Sequence, residues 1–173
     1  MKPLKTALLL IPMLLLFLTI NASLTNAANA TAVYLSATGI CATNATNCPK
    51  IRAWGSTGSG SWGSETELST AGSPVVYTLI RFSNVSSKLV IVTLSADGNL
   101  DSYVSYNNTD WTVSNDIGNV WSSSATQRRY DLDFETNTGD AVLVYSIVNT
   151  STDCELAYRV LAADQLSWPN TYT

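Results

Sequence analysis

The 173-residue sequence contains no histidine. That excludes a Ser-His-Asp triad and a Cys-His pair. It also leaves the three cysteines without the imidazoles that commonly complete a zinc site. Charge is scarce too. Asp, Glu, Lys and Arg make up 13% of the chain, against roughly a quarter in an ordinary globular protein. The net charge is −4, and about −6 once Lys2 and Lys5 of the leader are set aside. With no basic stripe to neutralise phosphates, nucleic acid is not an expected partner. Beyond residue 30 there is no apolar run long enough for a membrane helix, so the mature domain is not expected to span a membrane. Nor does any mature segment hold a 3.6-residue apolar period between helix caps.

What is present begins with an export leader. Met1, Lys2 and Lys5 form a positive start, Thr6 to Ile20 is an almost unbroken apolar run, and Ala28-Asn29-Ala30 reads as a cleavage site. Cleavage after Ala27 is the alternative. Residues 1–30 are thus expected to be a signal peptide, and residues 31–173 a secreted or extracytoplasmic domain, associated with the cell surface. Ser, Thr, Asn and Gly supply its polarity in place of charge. Sequons at Asn44, Asn84, Asn107 and Asn149 permit glycosylation. In an oxidising compartment cysteines pair. Cys41 and Cys48 enclose the short polar loop Ala42 to Asn47 and are the preferred disulfide. Cys48–Cys154 is the rival, and the preferred pairing leaves Cys154 free, buried or bridged to another chain.

From Ala32 onward, short runs of β-branched and aromatic residues alternate with Gly, Asn, Asp and Ser. Val75 to Phe82, Leu89 to Leu94, Leu100 to Tyr106, Tyr130 to Phe134 and Ala141 to Ile147 are the clearest strands. The chain also repeats itself. Phe82 to Val92 aligns without gaps on Phe134 to Val144. Segments leading from Trp54 to Trp62, from Tyr106 to Trp111 and from Leu161 to Trp168 share a strand, a turn and a tryptophan. The expected fold is all-β, built from antiparallel four-stranded repeats as a partial β-propeller. The alternative is a two-sheet β-sandwich. About two and a half units are read, at 31–68, 75–117 and 129–173, the last ending as a final strand begins at Trp168. So short a stack leaves apolar faces open. A longer polypeptide, or self-association, would close them.

Tyr130-Asp131-Leu132-Asp133-Phe134-Glu135-Thr136-Asn137-Thr138-Gly139-Asp140-Ala141-Val142-Leu143-Val144-Tyr145 resembles a recurring segment of large secreted prokaryotic β-propeller proteins. Tyr106-Asn107-Asn108-Thr109-Asp110-Trp111 resembles the turn that accompanies it, itself similar to the Asp-box of sialidase-like propellers. The resemblance covers most of residues 50–168 and implies a propeller-like domain on the cell surface, often beside adhesion modules. It implies no particular catalysis.

Candidate sites follow from residue type and position. Asp131, Asp133 and Glu135 alternate, so one face of a strand would carry all three, directed at a neighbouring unit or a central channel. The row offers oxygen ligands for Ca²⁺, the one cofactor considered. An ion pair from Asp133 to Arg81, its aligned counterpart, is the competing structural reading. Repeated tryptophans read as packing residues. Trp121, outside the repeated position, and Tyr106, beside the Asn107-Asn108 turn, are the candidates for stacking on a sugar. Arg52, Arg81, Arg128, Arg129 and Arg159 do not have the spacing of a sialidase arginine cluster, so no catalytic residue is assigned and no enzyme is expected. The reading is a secreted or cell-surface adhesion or binding module, with a glycan or a surface protein as partner. The alternatives are a non-catalytic fragment of a sialidase-like or other glycoside hydrolase, and a structural cell-envelope module.

Overall fold

The computed structural model describes residues 30–36, 48–55, 61–68, 73–120, 128–148 and 154–169. Every regular element among them is a strand. The first sheet pairs β1 (Ala30–Ser36) with β2 (Cys48–Gly55), whose other edge carries the two-residue strands β3 (Ser61–Trp62) and β4 (Thr66–Glu67). The second is a four-stranded meander of β5 (Val75–Phe82), β6 (Leu89–Ser95), β7 (Asn99–Ser105) and β8 (Thr112–Asn119). The third is a three-stranded meander of β9 (Tyr130–Phe134), β10 (Ala141–Val148) and β11 (Cys154–Leu161). All pairings are antiparallel, and no sheet closes into a barrel among the described residues. No helix there is long and apolar enough to cross a membrane.

The sheets stack in chain order. Val90, Val92, Leu94, Leu100 and Val104 of the second sheet pack against Leu132, Ala141, Leu143, Tyr145 and Leu161 of the third. On its opposite face, Ile91 and Tyr103 pack against Ile51 and Leu68 of the first sheet's unit, with Val33 and Trp111 at the margin. The middle sheet is therefore covered on both sides. This is why β6 is a nearly continuous apolar run and is buried at every position, where a strand with one wet face would alternate. The leading strands lie close together, β1 beside β5 and β5 beside β9. Neighbouring sheets pack face to face, an arrangement consistent with either a partial propeller or a sandwich.

The aligned segments fold alike. In the β5–β6 hairpin Phe82 pairs with Leu89, and Ser83 N donates to Lys88 O at 2.9 Å. In the β9–β10 hairpin Phe134 pairs with Ala141, and Glu135 N donates to Asp140 O at 2.8 Å. Both turns are capped from the same position: Ser83 Oγ accepts from Ser86 N at 3.2 Å, and Glu135 Oε2 accepts from Thr138 N at 2.5 Å. Both use a left-handed residue one step later, Ser87 at φ 53° and Gly139 at φ 76°. The turns also touch, since Ser86 Oγ donates to Gly139 O at 3.2 Å.

One expectation is corrected at the C-terminal side. Trp168 does not open a further strand. Among the described residues nothing after β11 is a strand, and the Trp168 ring turns back into the core between the second and third sheets, 6% exposed. Its Nε1 donates to Ser102 Oγ of β7 at 2.7 Å.

Packing between these two sheets is tight enough to demand a glycine. A Cβ on Gly118 in β8 would fall 2.8 Å from two ring carbons of Tyr145, which is buried in β10 and has nowhere to swing. Gly118→Ala is expected to destabilise by about 1–3 kcal/mol, the usual cost of overpacking, read as a lower midpoint in urea unfolding.

Candidate functional site

A cleft of about 470 Å³ opens at one end of the second sheet, lined on one side by Ile80, Arg81 and Phe82 of β5 and on the other by Tyr106, Asn107 and Asn108 after β7. Thr31 of β1 and Ser87 and Leu89 of the β5–β6 hairpin complete the wall. Phe82 is 56% exposed and Tyr106 42% exposed. The cleft thus joins aromatic surface to amide groups and one guanidinium.

Tyr106 is held from several sides. Its hydroxyl donates to Ala163 O at 2.8 Å, and the Lys88 ammonium lies 5.7 Å from its ring centroid. Lys88 is fully buried and donates through Nζ to Ala162 O at 2.5 Å, while Asp140 Oδ1 accepts from Ala163 N at 2.7 Å. The segment leaving β11 is therefore bound to both the second and third sheets, and the Tyr106 ring is fixed through it. Burial lowers the Lys88 ammonium below the ordinary lysine value, against the attraction of Asp140 and Asp164. Burial, with Asp164 nearby, raises the Tyr106 phenol above its ordinary value, so this tyrosine works as a neutral donor.

The turn behind Tyr106 is tied by its own side chains. Ser105 Oγ accepts from Asn107 N and Asn108 N at 3.2 and 3.0 Å. Asn107 Oδ1 accepts from Thr109 N and Asp110 N, both at 2.9 Å, and Asn107 Nδ2 donates to Asp110 Oδ2 at 2.7 Å. Asn108 sits at φ 63°, a conformation asparagine tolerates better than most residues. This is a stiff Asx-type turn, and the Asn107 side chain is committed to it.

The acidic row does not gather into a cation site. Asp131 and Asp133 share a face of β9, as alternation requires, but that face is turned to solvent. Among the described residues it meets neither a neighbouring sheet nor a channel. Each accepts a hydrogen bond from the backbone N–H of the next residue, and Asp131 also pairs with Arg128 at 3.3 Å. Glu135 lies past the strand and folds into its own turn, where Thr138 and Asn137 hold its carboxylate below its ordinary value. No group of three or more acidic or thiol ligands suited to a metal occurs among the described residues. Arg81 does not pair with Asp133. Its guanidinium donates to Ile80 O at 3.0 Å and borders the cleft instead.

The remaining arginines are dispersed. Arg52 approaches Glu65 at 3.6 Å on the first sheet, and Arg159 of β11 is buried and donates to Pro169 O at 2.8 Å. Trp54 and Trp62 meet edge to face at 5.4 Å. Trp62 is 44% exposed, more than a packing role would predict. Trp121, Cys41, Asn44 and Asn149 lie outside the described residues, as do residues 1–29. Cys48 is 1% exposed. Sequence reasoning singled out Tyr106 but missed Phe82 and Lys88. Phe82 reads as a strand terminus, and a lysine beside a turn reads as solvated.

Comparison with protein-family models, with curated proteins and with solved structures finds no match for this chain.

Proposed function

We propose that the protein is a secreted or cell-surface binding module that takes a glycan in the cleft beside Tyr106. The observation carrying this reading is an aromatic ring clamped in place at the mouth of a cleft that also presents a second aromatic and uncharged amides. A sugar offers an apolar ring face and a rim of hydroxyls. Tyr106 and Phe82 supply surface for the first, while Asn108 and Arg81 supply donors and an acceptor for the second. Fixing the tyrosine in advance reduces the ordering cost of binding. A low density of charge suits a neutral ligand. The Cys41–Cys48 bridge belongs to this proposal as a staple suited to an oxidising compartment, and no catalytic step is assigned to the chain.

The test is a glycan array followed by calorimetry on the best ligand. Tyr106→Ala is expected to weaken binding by about tenfold or more, as truncating an anchoring aromatic does, with the melting temperature of the sheets close to wild type. Tyr106→Phe keeps the ring and should retain most of the affinity. An array with no bound glycan, or a ligand indifferent to Tyr106→Ala, overturns the reading.

A further inference from the structure

We infer that Asn84 is an N-glycan acceptor and that Asn107, the other sequon among the described residues, is not. Both lie in turns, Asn84 in the β5–β6 hairpin and Asn107 after β7, and both are exposed. Each has a hydroxyl two residues on, Ser86 and Thr109, with no proline between, as the acceptor pattern requires. What separates them is the work the asparagine side chain already does. The Asn84 amide holds no hydrogen bond to any other group. The Asn107 amide is fully spent: Oδ1 accepts from Thr109 N and Asp110 N at 2.9 Å, and Nδ2 donates to Asp110 Oδ2 at 2.7 Å.

The partners of Asn107 are only two and three residues away, so its turn closes locally, before any sheets stack. Asn107 also lines the cleft beside Tyr106, where a sugar carried on it would fill the space. Asn84 does not line the cleft. A glycan on it displaces no side chain and shields Val85, the next residue, which is 56% exposed and belongs to neither hydrophobic cluster. The hydroxyl of this sequon is engaged late. Ser86 Oγ donates to Gly139 O at 3.2 Å, 53 residues further along the chain, so it is free until the β9–β10 turn arrives. Transfer therefore precedes docking of the third sheet.

The donor is an oligosaccharide carried on a polyprenol phosphate or diphosphate, presented by a membrane-bound transferase outside the cytoplasm. Nδ2 of Asn84 forms a bond to C1 of the first sugar. The bond from C1 to the phosphate oxygen breaks, its electron pair stays with the departing lipid phosphate, and the amide nitrogen gives up one proton. The inference rests on the export part of the proposed function and not on ligand binding in the cleft.

The test is peptide mass mapping of the full chain from an N-glycosylating eukaryotic cell, produced once through its own leader and once with a host secretion signal placed before it. Peptide-N-glycosidase marks each modified asparagine by leaving aspartate in its place. In the host-signal sample, Asn84 is expected to be occupied in most molecules, several-fold more often than Asn107. Asn84→Gln should abolish that modification and leave the melting temperature of the deglycosylated protein unchanged, because the side chain holds nothing. Asn107→Gln should lower the melting temperature and leave Asn84 occupied. A bare Asn84 in the host-signal sample overturns the inference, and so does equal occupancy of Asn84 and Asn107. Retention of the own-leader sample inside the cell, with Asn84 occupied in the host-signal sample, overturns the export reading and supports Asn84 as the acceptor.

Discussion

Trp168→Ala is expected to lower the unfolding free energy by about 3–5 kcal/mol, the range found when a buried tryptophan is removed from a core. Trp168 is 6% exposed and belongs to no strand, yet its ring lies within the cluster that joins the second and third sheets. Truncation removes that area and also leaves Ser102 Oγ, on a residue with no solvent exposure, without its indole donor. Trp168→Phe separates the two contributions. It restores much of the buried surface but not the hydrogen bond, and should recover more than half of the loss. Urea unfolding followed by far-ultraviolet circular dichroism gives both values. A substitution that leaves the midpoint unchanged would show that residues 162–169 are an appendage and not part of the core.

Leu143→Ala is expected to cost about 2–5 kcal/mol, with the value set by how far the surrounding side chains close the cavity. Leu143 is fully buried in β10, paired with Leu132 of β9 and Arg159 of β11, and faces the second sheet. The next residue provides the control. Val144 is on the opposite, solvent-facing side of the same strand, so Val144→Ala should change stability by well under half as much. The contrast depends on strand alternation alone. Similar losses at 143 and 144 would contradict the face assignment on which the stack is built.

The strands were legible because their residues leave little choice. Val75 to Phe82 and Ala141 to Val148 are rich in β-branched and aromatic side chains, and Asp97-Gly98 and Thr138-Gly139 break them with turn residues suited to positive φ at glycine. The gapless alignment of Phe82 to Val92 on Phe134 to Val144 was legible for the same reason that the two hairpins share a cap and a left-handed residue. The site was read less well. Tyr106 stood out through the turn that follows it, but its clamp is built from Lys88, Ala162 and Ala163, which are far from it in sequence and come together only through the stacking of two sheets. The acidic row failed as a ligand set at Glu135. β9 ends at Phe134, so the alternation that aligns Asp131 and Asp133 does not extend one residue further. Trp168 misled because an aromatic after a polar turn reads as a strand start, and nothing local to it records that a serine on β7 holds its indole.

The burial of β6 at every position has a consequence for how the molecule can fail. A sheet with neighbours on both faces shares its stability with each, whereas an end sheet draws on one interface only. The two interfaces are also unequal, since the cluster between the second and third sheets is much larger than that between the first and second. Loss of order should therefore begin at the first sheet and leave the other two as a cooperative pair. The surface that presents Lys50 and Arg52 would then be the first to melt among the described residues.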